Sequence, residues 1–110
     1  FLYLSEMSTL AEETFALVTQ ELALPELREK FDEQKAVGLL TQAVKQLLDQ
    51  NLERFLQICY RVDLSENTLK KILAESPPEQ LASDLAQALW ERQKQKIVLR
   101  RRYSGTEGSE

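Results

Sequence analysis

The sequence predicts an all-α fold, a compact bundle of four to five helices with a long basic C-terminal helix. Three observations carry this expectation. The 110 residues include only three Gly and three Pro, and a chain rich in Leu, Gln, Glu, Lys and Ala with so few breakers favours helix. Its apolar side chains recur at spacings of three and four, the period of a helical face. Hydroxyl, amide and carboxylate side chains stand where helix caps are needed. An apolar fraction of 43% and a charged fraction of 29% are those of a globular chain. The length suits one domain, and about 60–70% of the unfolded surface can be buried without disulfides or metal. The domain is expected to span residues 1–103, with 104–110 as a disordered polar tail.

The first helix is announced by Thr9-Leu10-Ala11-Glu12, a capping box in which hydroxyl and carboxylate satisfy each other's orphan backbone donors. Ala11, Phe15, Val18 and Leu22 form its apolar stripe up to Pro25, and Met7 is placed to extend it by a turn. The second helix is expected to begin near Pro25, a residue favoured at a first helical position. Its apolar residues come in pairs, Ala36/Val37, Leu39/Leu40, Ala43/Val44 and Leu47/Leu48, which describe the broad face of a central helix. Gly38 lies within this stripe at a cost of about 1 kcal/mol relative to Ala, and close approach of a neighbouring helix is the expected justification.

At Asp49-Gln50-Asn51 two readings fit. Leu52, Phe55, Leu56 and Cys59 continue nearly in phase, consistent with one helix from 26 to 62. Asn is also a good cap, and a break at Asn51 is preferred because so long a helix is unusual in a globular domain. Leu64 and Leu69 flank Ser65 as a hydrophobic staple around a cap, starting a short helix over 66–75 with Leu69, Ile72 and Leu73. Ser76-Pro77-Pro78-Glu79 reads as a cap, a Pro at the first helical position and an acid in the first turn, starting a last helix from about 77 to 102. At 1.5 Å per residue that helix is roughly 39 Å long, against about 22 Å for the first. Leu81, Leu85, Ala88 and Leu89 give it a packing face, and residues 36–62 and 81–90 are the expected core. Glu91 to Lys96 has no apolar residue and Ile97-Val98-Leu99 follow, so the helix is expected to overhang the bundle with a second apolar patch at its far end. No internal repeat is present.

The chain has no histidine. This removes the commonest general base, the Ser-His-Asp arrangement and the Glu-x-x-His pairs of di-metal bundles. The glycines, at 38, 105 and 108, make no phosphate loop. Cys59, between Ile58 and Tyr60, reads as a small buried hydrophobe, Arg61 being the only nearby cation to activate it. A single cysteine forms no internal disulfide and suits a reducing, cytoplasmic location. Glu12, Glu13, Glu21, Glu26, Glu29, Asp32 and Glu33 form a solvated polar face; a carboxylate-only metal site is the lesser reading. No enzyme activity, cofactor, metal or small-molecule site is expected. No apolar run reaches the ~18–20 residues of a membrane span, and Phe1-Leu2-Tyr3-Leu4 does not read as a signal peptide. The chain opens without an initiator Met, which leaves an upstream segment open.

Charge is distributed very unevenly. Residues 92–102 hold six of the fourteen basic residues and no acid, whereas residues 1–91 carry a net charge of −8. Cations at a helix end complement its dipole, but six in eleven residues exceed that need. Two functional readings follow. In the first, Arg92, Lys94, Lys96, Arg100, Arg101 and Arg102, with Ile97, Val98, Leu99 and Tyr103, bind a protein partner or a second copy. In an antiparallel homodimer this helix would lie on the acidic first 33 residues of the other subunit, with the apolar trio supplying most of the affinity because exposed ion pairs are worth only ~0–1 kcal/mol each. In the second, a small RNA- or DNA-associated protein uses the same cations on phosphates and Tyr103 for stacking, although the pI near 5 and the lack of a nucleic-acid-binding motif weigh against it. The expected function is therefore a non-catalytic protein-interaction or regulatory module.

Overall fold

The computed structural model describes residues 9–25 and 30–108, and within them the chain forms five α-helices: α1 (Leu10–Leu22), α2 (Glu33–Gln50), α3 (Leu52–Val62), α4 (Glu66–Glu75) and α5 (Leu81–Gly108). The caps explain most boundaries. Thr9 accepts from the backbone N–H of Glu12 at 3.1 Å while the Glu12 carboxylate accepts from that of Thr9 at 2.9 Å. Asn51 closes α2, its N–H donating to the Leu47 carbonyl, and opens α3, its amide oxygen accepting from the Arg54 N–H at 3.1 Å. The preferred break at Asn51 is thus real. Ser65 caps α4 as expected, with Leu64 and Leu69 both resting on the core.

Three boundaries differ from expectation. The second helix starts at Glu33, not near Pro25, because the Asp32 carboxylate accepts from the N–H groups of Gln34 and Lys35; residues 26–29 lie outside the described residues, as does Met7. The Phe31 ring meets that of Phe15 with centroids 5.9 Å apart, so an aromatic pair anchors the approach to α2. The last helix starts at Leu81 rather than 77. Pro77 precedes Pro78, which disfavours the helical region at Pro77; the Gln80 N–H donates back to the Pro77 carbonyl, and the Ser76 hydroxyl donates to Asp84 in the first turn of α5 at 2.6 Å. That helix also continues through Gly108, so residues 104–108, expected as a disordered tail, are helical, and 109–110 lie outside the described residues. No proline follows Arg102, and one glycine costs a helix only about 1 kcal/mol.

α5 is the axis of the bundle and packs against all four other helices. Its 28 residues span about 42 Å, close to the molecule's longest extent of 46 Å. The expected second apolar patch does not form, because Ile97 lies in the interior. The inner face of α5 runs Leu85, Ala86, Leu89, Trp90, Gln93, Ile97, all buried; Gln93 bridges the stretch without apolar residues. Leu81 is partly buried against the core as expected, while Ala86 and Trp90, rather than Ala88, complete the packing face. Against it stand Ala36, Leu40 and Val44 of α2, Phe55, Ile58, Cys59 and Val62 of α3, and Val18 of α1. α4 buries no residue fully and contributes only Leu69 and Ile72 to the core's edge.

Gly38 is exposed, and a Cβ built on it meets nothing within 4 Å. No neighbouring helix requires this glycine, contrary to the expectation from its place in the stripe. Gly38→Ala is therefore expected to stabilise the protein by about 0.5–1 kcal/mol, measured as a higher urea midpoint at unchanged m-value. A loss of stability would show that the position is crowded after all.

Candidate interaction surface

The C-terminal helix meets acidic residues of its own chain. Arg101 pairs with Glu13 of α1. Lys94 Nζ lies 3.2 Å from the Glu33 carboxylate at the start of α2. Arg92 binds Asp63 twice, Nε donating to its carbonyl and Nη2 to its carboxylate, both at 3.0 Å, while Nη1 donates to Gln95. Asp63 has a left-handed backbone, φ 63°, and Leu64 N–H reaches back to the Cys59 carbonyl. That is a Schellman-type helix end, so the Arg92 fork holds the corner between α3 and α4. The Glu13–Arg101 pair, together with the field of Glu21 on Lys96, sets α1 antiparallel to the C-terminal half of α5. The antiparallel charge match foreseen between two subunits is realised inside one.

The Trp90–Glu33 bond was not foreseen. Trp90 is fully buried, and its indole N–H donates to Glu33 Oε2 at 2.7 Å, the same oxygen that faces Lys94. The only signal in the sequence is a lone Trp on the inner face of a helix, whose N–H must find a partner when buried. This bond, opposed by partial burial and aided by Lys94, holds the Glu33 carboxyl below its ordinary value of 4.5.

The remaining residues of the expected site separate. Ile97 is 4% exposed and belongs to the interior, so the apolar trio is not a surface patch. Leu99 is half-buried, and Val98 is 38% exposed. Lys96 is partly buried; desolvation, then Arg92, pushes its pKa down, while Asp63 and Glu21 oppose this and Arg100 adds to it. Arg100 and Arg102 are exposed, and Tyr103 is 65% exposed. Lys96, Arg100 and Tyr103 stand at i, i+4 and i+7, on one side of the helix.

No family model, curated protein sequence or solved structure matches this chain.

Among the described residues, no group of three or more His, Cys, Asp or Glu is placed to hold a metal ion, and no helix is long and apolar enough to cross a membrane. Cys59 is buried, and desolvation pushes its thiol up to about 11, so at neutral pH it is the un-ionised, unreactive form.

Glu33→Ala leaves the buried indole N–H without its partner and is expected to cost about 1–3 kcal/mol in denaturant unfolding, with Glu33→Gln, which keeps an acceptor, costing less. Because Glu33 titrates lower in the folded than in the unfolded chain, its contribution is present above the ordinary glutamate value and fades as pH falls through the folded one. An NMR titration of Trp90→Phe should show the Glu33 midpoint rising. For Cys59, a thiol reagent should label the native protein far more slowly than the denatured one, and equal rates would place the sulfur at the surface.

Proposed function

We propose that this helical domain is a non-catalytic interaction module, and that it contacts a protein partner through the exposed side of the C-terminal half of α5. The observation that carries this reading is the placement of Arg100 and Tyr103. They stand exposed, three residues apart, next to Lys96, while Arg92, Lys94 and Arg101 are engaged by acids of the same chain. An exposed tyrosine flanked by arginines combines the residue types that supply the largest contributions at protein interfaces. The absence of histidine and the un-ionised Cys59 thiol support a role without catalysis.

The internal ion pairs also bear on the class of partner. Arg92, Lys94 and Arg101 face carboxylates at close range, which lowers the phosphate contacts open to a polyanion and with them the affinity for nucleic acid. The experiment is photo-crosslinking in the native cell with a benzophenone amino acid at Tyr103. A discrete protein adduct that weakens in Arg100→Gln/Arg102→Gln is the expected result. A nuclease-sensitive adduct would transfer the surface to the RNA- or DNA-associated reading. Absence of any adduct would remove α5 as a contact surface.

A further inference from the structure

The outward side of α3 carries an apolar ridge that the bundle does not cover. Leu52, Leu56 and Tyr60, at i, i+4 and i+8, are 52%, 42% and 87% exposed. Isolated exposed apolar residues are ordinary on a protein surface, but contiguous patches of a few hundred Å² mark contact sites. Beside this ridge runs a second, Glu53, Gln57 and Arg61, at the same spacing. Leu56, Tyr60 and these three residues border an open depression of about 480 Å³. The inner side of the helix is fully used, by Phe55, Ile58, Cys59 and Val62.

Each ridge is complementary to itself when reversed. The first is apolar at each end and in the middle; the second has an acid at one end, an amide in the middle and a base at the other. On a second helix laid antiparallel and centred between Leu56 and Gln57, Leu52 comes within one residue rise, about 1.5 Å, of the level of Tyr60 of the other copy, the Leu56 side chains meet near the two-fold axis, and Glu53 comes equally close to the level of Arg61. A parallel two-fold pairing would instead set the charged ridge of each copy against the apolar ridge of the other, leaving Glu53 and Arg61 without opposite charges across the seam. Arg61 already approaches Glu21 through Nε at 3.4 Å, yet its side chain remains 68% exposed, so the guanidinium keeps an open side. This self-complementarity is the property that a two-fold, isologous interface requires.

We infer that α3 is a self-association surface, on which a second copy of this chain docks antiparallel through Leu52, Leu56 and Tyr60, with Glu53 and Arg61 setting the direction. The surface is separate from the α5 contact proposed above and does not depend on it. Rim charges add little affinity but penalise wrong alignments; the apolar ridge supplies the attraction. One helix face buries less than the roughly 800 Å² per partner of a standard interface, so the association is weak, roughly micromolar to millimolar.

The test is sedimentation of the intact chain over a range from about 10 µM to 1 mM. The parent should shift from monomer towards dimer, and Tyr60→Ser, at a position too exposed to matter for folding, should weaken this by about tenfold or more. Glu53→Arg alone and Arg61→Glu alone should each be monomeric, whereas an equimolar mixture of the two should associate, because only the mixed pair sets opposite charges against each other at both ends. Circular dichroism verifies that each variant is folded. Should Arg61→Glu unfold beside Glu21, Arg61→Gln replaces it, with weaker association than the parent expected. A parent that stays monomeric throughout overturns the inference and leaves the ridge to a different chain. So does a dimer indifferent to Tyr60→Ser, and a mixture of folded variants no more associated than its components overturns the antiparallel arrangement.

Discussion

One helix must bury a single side over several successive turns, and the other four helices take their places from that requirement. The buried stripe of α5 runs from Leu85 to Ile97, and α1, α2, α3 and α4 all pack on this helix. Trp90 is the largest fully buried side chain, and burying an indole brings its N–H into a medium where an unpaired donor is costly. Glu33, the first residue of α2, is the group that accepts it. The start of α2 is therefore held by two interactions with different causes: Asp32 caps the helix locally, and Glu33 ties it to a residue 57 positions away in sequence.

The charge asymmetry of the chain is used within its own fold. Arg92, Lys94 and Arg101 lie on α5 at intervals that meet Asp63, Glu33 and Glu13 from three different elements. Each pair is solvent-accessible, so each contributes little to stability by itself. Their joint effect is directional: a helix packed in another register or orientation would set these cations against apolar residues or against one another. The same pairs reduce the electrostatic dipole suggested by the composition, since much of the positive charge lies directly against negative charge. On the outer side of the helix, Arg100 and Tyr103 stand exposed next to Lys96.

The two proposed contact surfaces differ in chemistry. The exposed side of α5 pairs cations with one aromatic residue, which suits an acidic, polar partner surface. The outer side of α3 has an apolar ridge with one charge of each sign at its ends, which suits a copy of itself. These surfaces belong to different helices, and the interior beneath both is the same cluster, with Phe55, Ile58 and Cys59 under α3 and Leu89, Trp90 and Ile97 under α5. A chain that spends its inner faces on one core has only its outer faces left for partners.

The sequence by itself determined the helices and most of their caps. Thr9 with Glu12, Asn51 and Ser65 act through backbone groups two to four residues away, so local chemistry was sufficient to read them. It misled where a non-local or competing effect decided: Ser76 is drawn towards Asp84 once Pro78 bars Pro77 from helical geometry, and Asp32 outcompetes Pro25 as the start of α2. Only the tertiary structure decided where the basic helix lies, because that depends on which acids meet Arg92, Lys94 and Arg101 across the fold. It also decided that Ile97 is core and that Tyr60 is surface. Helical periodicity shows which residues share a face, but whether that face meets water depends on how the other helices stack against it.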